Sequence, residues 1–250
     1  MDGIAIRLAG ARQLLSPVPG GPRIPLGHDG ADGALRGGLM RGALHEVYGD
    51  TSAFGFAAGL ARRAAGLKRL LWIVQDFSAL EHGAVSPTGL AEFGIDPTSL
   101  LLLSAANATD ALRAGADALS CAALGAVIVE IPGNPKILDL VASRRLVLGA
   151  QSKGVTVFLL RPDAATEPSA AETRWQVRTA RSSDSDDWAG PRFDVSLTRN
   201  RHGETGHWVM EWCCDDGAFA KPEDWAAHSG AMVSPPADRP AAAALYRLTG

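Results

Sequence analysis

Five short apolar runs, Leu44–Tyr48, Leu70–Val74, Leu100–Leu103, Ala126–Ile131 and Val155–Leu160, alternate with helix-forming stretches. Apolar residues in consecutive rather than alternate positions mark strands covered on both faces, as in a parallel sheet flanked by helices. Three helical stretches lie between them: Phe54 to Ala65, Ala108 to Ala123, and a third opened by Asn134 as N-cap with Pro135 at its first position. The stripe of the third is Ile137, Leu140, Val141, Arg144, Val147 and Leu148. After Leu160 the period changes. Trp175/Val177/Thr179, Phe193/Val195/Leu197 and Trp208/Met210/Trp212 alternate with polar residues, which predicts half-exposed antiparallel strands added to the sheet.

The expected organisation is an N-terminal arm over residues 1–23, a core domain over 24–217 and a tail over 218–250. The arm ends in a Pro/Gly cluster (Pro17, Pro19, Gly20, Gly21, Pro22) and carries Ile4, Leu8, Ala11 and Leu15 at helical spacing. The tail is proline- and alanine-rich, and the stretch from Arg181 to Ala189 is a serine- and aspartate-rich loop. With 250 residues, 46% of them hydrophobic, the chain can bury one large α/β core. Its net charge of −3 argues against a nucleic-acid binder that works by charge alone. No stretch reaches the length of a membrane span, and the first residues do not read as a signal peptide. Cys121, Cys213 and Cys214 have no metal spacing and read as reduced thiols; cytoplasm is the expected location. His45, His82, His202 and His207 likewise lack ligand spacing, so neither a metal nor another cofactor is expected.

One strand-to-helix junction has the outline of a phosphate-binding loop. It covers Gly49, Asp50, Thr51, Ser52, Ala53, Phe54, Gly55, Phe56 and Ala57. A working loop of this kind ends in Lys-Ser/Thr, which contacts the β/γ-phosphates and magnesium. Here Gly55 is followed by Phe56 and Ala57, with no cation and no hydroxyl. The blander reading is an ordinary strand-to-helix turn, with weak anion binding at a helix N-terminus left open.

The order of elements, with several motifs, resembles the RecA-like ATPase core, and within it the ImuA family of damage-induced mutagenesis proteins. The resemblance runs from about Ile24 to Gly217. Its most specific pieces are Gly37-Gly-Leu-Met-Arg-Gly-Ala-Leu-His-Glu-Val-Tyr-Gly49 and Leu71-Trp-Ile-Val-Gln75. Ala91-Glu-Phe-Gly-Ile-Asp-Pro97, Ala142-Ser-Arg-Arg-Leu146 and Trp208-Val-Met-Glu-Trp212 support it. The fold so implied is a P-loop ATPase core with a mostly parallel central sheet and antiparallel strands on its C-terminal side.

The resemblance places Glu130 at the Walker B position and Gln75 or Asp76 near the water-orienting glutamate. For Glu130, magnesium chemistry and a bonded strand-end carboxylate both stand open. Without the lysine, the cationic stabilisation of a transferring phosphate is lost, and hydrolysis is not expected. The two DNA-binding loops of recombinases correspond to Pro132–Pro135 and Arg161–Glu172, which are short and poor in cations and rings, so RecA-like DNA binding is not expected. Arg199-Asn-Arg201 resembles the Lys-Asn-Lys that recombinases present across a subunit interface. Arg199 and Arg201 are therefore either hairpin charges or partner-facing. Arg144 and Arg145 are either solvated or braces for Asp139 or Glu130. Trp175, Trp208 and Trp212 suit sheet packing or an interface.

The resemblance implies a non-catalytic adaptor in SOS mutagenesis and translesion synthesis, working with RecA, ImuB and an error-prone DNA polymerase complex. Two alternatives stand beside it: a division inhibitor of the SulA type, and a DNA-stimulated ATPase with an atypical loop.

Overall fold

The computed structural model describes residues 21–165, 167–181 and 190–222. The arm's residues 1–20, the Ser/Asp loop 182–189 and the tail from 223 lie outside them. In chain order the elements are β1 (Arg23–Ile24), α1 (Asp29–Ala34), β2 (Leu39–Met40), β3 (Leu44–Gly49), α2 (Ser52–Ala65) and β4 (Arg69–Gln75). There follow α3 (Asp76–His82), α4 (Pro87–Glu92), a 3-10 turn (Pro97–Ser99), β5 (Leu100–Ala105), α5 (Ala108–Ala118), β6 (Leu124–Glu130), α6 (Leu140–Lys153) and β7 (Thr156–Pro162). The last strands are β8 (Thr173–Thr179), β9 (Arg192–Asn200), β10 (Gly206–Cys213) and β11 (Ala218–Ala220).

Nine strands form one sheet in the order β11-β10-β9-β8-β3-β7-β6-β4-β5. The six from β8 to β5 are parallel, and β9, β10 and β11 are antiparallel. β3, β6 and β7 lie in the middle and are buried on both faces, which is why their apolar residues run on without alternation. One face packs on α2, whose Phe56 meets Trp175, Phe193 and Phe219 at ring-centroid distances of 5.7, 5.7 and 5.0 Å. The other face packs on α5 and α6 through Leu112, Leu119, Val129, Leu146 and Leu159.

Four expectations are corrected. β8 is antiparallel to β9 but parallel to β3, and it is largely buried, because the β7–β8 crossover carries the chain over β3 before β8 begins. β5 is not covered on both faces. It ends the sheet, and Leu101, Leu102 and Leu103 are exposed. The third helix starts at Leu140 with Asp139 as its cap, the carboxylate accepting from the Ala142 amide. Asn134 instead exchanges two hydrogen bonds with the Ala165 backbone. Finally, the sheet continues past residue 217. β11 pairs with β10, and Phe219 is fully buried against α2.

Candidate functional site

The C-terminal ends of parallel strands are where open α/β sheets gather ligands. Here Gly49, Glu130 and Gln75 end β3, β6 and β4 on that side. Gly49 turns the chain at φ 143°, and a Cβ on it would sit 1.8 Å from the Val177 carbonyl oxygen. Only glycine fits between β3 and β8 at this point.

The helix begins almost at once. Only Gly49, Asp50 and Thr51 precede α2, whereas Ser52 to Ala57 lie within it. The second half of the supposed loop is thus helix, and its residues pack. Ala53, Phe56 and Ala57 are buried, and Phe54 stacks obliquely on His82 at 5.4 Å. Gly55 is a packing glycine, since a Cβ there would lie 3.0 Å from Phe93.

A helix N-terminus presents free amides to an anion. At α2 they are already committed. The Asp50 carboxylate accepts from the Ser52 amide at 2.9 Å and from the Ser52 hydroxyl. Its other oxygen takes the Thr179 amide at 2.9 Å, which ties the start of α2 to the end of β8. The Ala53 and Phe54 amides donate to the Asp50 and Thr51 carbonyls. Desolvation works against the Asp50 charge, but the Ser52 and Thr179 hydrogen bonds outweigh it and hold the carboxyl below its usual range. The chain's own carboxylate therefore stands at the helix mouth.

Beside α2 lies a cavity of about 290 Å³ walled by Phe54, Trp72, Val85, Leu90 and Phe93. Glu130 forms its polar end, accepting from Trp72 Nε1 at 3.1 Å and from the Ser78 hydroxyl. Desolvation by burial raises the Glu130 pKa, and the Ser78 and Trp72 hydrogen bonds only partly oppose it. The ionisable side chains lining the cavity are Glu92, Glu130 and His82, and its lining holds no Lys or Arg among the described residues. A triphosphate would meet carboxylates there rather than cations. Gln75 donates through Nε2 to the Glu130 carbonyl at 3.2 Å, and one Asp76 carboxylate oxygen accepts from the Ser104 hydroxyl.

The described residues of the loops 132–135 and 161–172, which the resemblance would set against recombinase DNA-binding loops, are tied down by hydrogen bonds. Sequence reasoning missed the knot that does it. Glu46 in β3 and Arg161 in β7 point to the α6 face, as does Arg174 in β8. Glu46 accepts from Arg161 at 2.8 Å, Arg174 at 3.0 Å and the Ser169 hydroxyl at 2.7 Å. Arg161 also donates to the Gly133 carbonyl and to Glu167. The single arginine of the crossover is therefore a buried structural group. The signal was available: three charges inside or at the ends of buried strands have to find one another.

Arg199 donates to the Ser169 carbonyl at 2.8 Å, which closes the same crossover from the β9 side. Desolvation by burial lowers its pKa, with Arg201 and Arg174 adding repulsion. Arg201 is exposed in the β9–β10 turn, and among the described residues only its backbone is anchored, to the Glu172 carbonyl. The structure thus separates the pair: Arg199 is a brace and Arg201 faces outward.

Trp175 and Trp212 are core, and Trp208 is partly buried. Among the described residues no group of three or more His, Cys, Asp or Glu is placed to hold a metal. No described helix is long and apolar enough to cross a membrane. The sequence matches no protein-family model and no curated protein.

Proposed function

We propose that this chain is a non-catalytic RecA-like adaptor of the ImuA type, linking RecA to ImuB and an error-prone polymerase in damage-induced mutagenesis. The observation that carries the non-catalytic half is the Asp50 carboxylate on the α2 N-terminus, where a nucleotide-binding loop would hold phosphate. The absence of lysine after Gly55 and the acidic lining of the adjoining cavity point the same way. An anion brought to this mouth meets a like charge and a first turn whose amides are taken. The adaptor half rests on the family resemblance and on Arg201, an outward cation in the Arg199-Asn-Arg201 segment that resembles the Lys-Asn-Lys recombinases present across a subunit interface.

Two measurements on the purified chain test the two halves separately. Calorimetry with ATP and magnesium should show no binding heat, and no phosphate release should accompany it. Co-sedimentation with RecA filaments should be retained by the wild type and reduced by Arg201→Glu. ATP turnover abolished by Glu130→Gln would establish the ATPase alternative and end the non-catalytic reading. Failure to co-sediment, or indifference to Arg201→Glu, would end the RecA-docking reading.

A further inference from the structure

The outward face of α6 is more apolar than a solvent-facing helix needs to be. Toward the sheet α6 buries Ser143, Leu146 and Ala150. The stripe that the sequence marks as core-facing lies mostly on the opposite side: Ile137, Leu140, Val141 and Leu148 are 47, 50, 58 and 63% exposed. Arg144 and Arg145 sit among them, both exposed, and neither side chain joins a hydrogen bond or ion pair among the described residues. They brace neither Asp139 nor Glu130. Solvated charges on a polar face would need no further explanation, but here they interrupt a row of large apolar side chains.

The surface is also concave. A depression of about 370 Å³ runs between α5 and α6, and a second of about 230 Å³ continues it along Leu140, Val141, Arg144, Arg145 and Leu148. Val141 and Arg145 belong to both, so the two form one groove. Contiguous exposed apolar surface rimmed by charge marks interaction sites. The α5 end carries Arg113, Asp117 and Asp139, whereas the Leu140–Leu148 end carries arginine alone.

We propose that this groove docks an amphipathic helix of a partner protein, one whose apolar stripe is flanked by carboxylates. The helical part of the stripe, Leu140 to Leu148, spans about 12 Å at 1.5 Å per residue, a little over two turns, with Ile137 extending the apolar surface from the turn before α6; a helix-in-groove partner can set two anchors over that length. An extended strand would find no unpaired backbone on a helical surface. A second copy meeting this face about a two-fold axis through the Leu140–Leu148 end would set Arg144 and Arg145 near their own counterparts. A flat acidic bilayer does not fill a groove between two helices. The inference goes beyond the adaptor reading and does not rest on it.

The probes are two fluorescein-labelled 18-residue model helices with identical leucine spacing, one flanked by glutamates and one by lysines. The glutamate helix should bind the full chain at least about tenfold more tightly, with the preference falling as salt rises. Arg144→Glu with Arg145→Glu should weaken it by about tenfold or more and improve the lysine helix. Val141→Asp with Leu148→Asp should abolish binding of both while circular dichroism stays unchanged. Equal binding of the two helices, or indifference to the arginine reversal, overturns the proposal. So does a concentration-dependent dimer that Val141→Asp dissolves, or equally tight Arg144-dependent binding to phosphatidylglycerol vesicles.

Discussion

Replacing Glu46 with alanine isolates the energetic centre of the fold. The side chains of Glu46 and Arg161 are each 2% exposed and that of Arg174 is 8% exposed, so water cannot solvate what the change leaves behind. Among the described residues, Arg161 would keep the Gly133 carbonyl and the half-exposed Glu167, while Arg174 would keep only the Ser169 hydroxyl. Stranding a buried charge by removing its partner costs about 3–5 kcal/mol. With two guanidiniums stranded, the upper end is expected. Urea denaturation should show a lower midpoint with an unchanged slope, and the melting temperature should fall by about 10 °C. Arg161→Met should cost less, because the Nε of Arg161 is buried without a partner and one cation remains to balance Glu46. The double variant Glu46→Leu/Arg161→Met should cost less than the sum of its singles. A loss below about 1 kcal/mol for Glu46→Ala, or strict additivity in the cycle, would refute the claim that these charges are buried and coupled.

Two further outcomes follow from groups near the same strand. Gly49→Ala should destabilise by about 3 kcal/mol or more, since strained backbone adds to a Cβ overlapping the Val177 carbonyl; a variant with wild-type urea stability would show that β8 can move away. His45 is fully buried, and desolvation lowers its pKa to about 4. Its neutral form therefore stabilises above the ordinary histidine range, and that contribution, on the order of 3 kcal/mol, is lost as pH falls from about 6.5 to 4. Urea titrations at pH 7 and 4.5 should show the loss, and His45→Gln should flatten it.

The alternation of strands and helices was legible because burial on both faces leaves a plain mark on β3, β6 and β7. β5 carries the same mark and is an edge. Four leucines announce burial, yet nothing in a linear pattern says whether another strand will lie alongside. α6 misled in the opposite way. Its apolar stripe is real, but the sheet is met by Ser143, Leu146 and Ala150, a set too small and mixed to stand out. β8 could not be oriented from its period, because direction depends on how the crossover returns over β3. At the candidate site, the missing lysine was plain in the sequence. The role of Asp50 was not, since its partner Thr179 lies 129 residues away and only the pairing of β3 with β8 brings them together.

The built-in carboxylate at the head of α2 has a bearing on timing. Motor and switch proteins of this general shape tell time by loading and discharging a nucleotide. On the reading proposed above, a chain that furnishes its own anion would have no loaded and discharged forms to alternate between. Its control, on that same proposal, would come through its abundance or through the company it keeps.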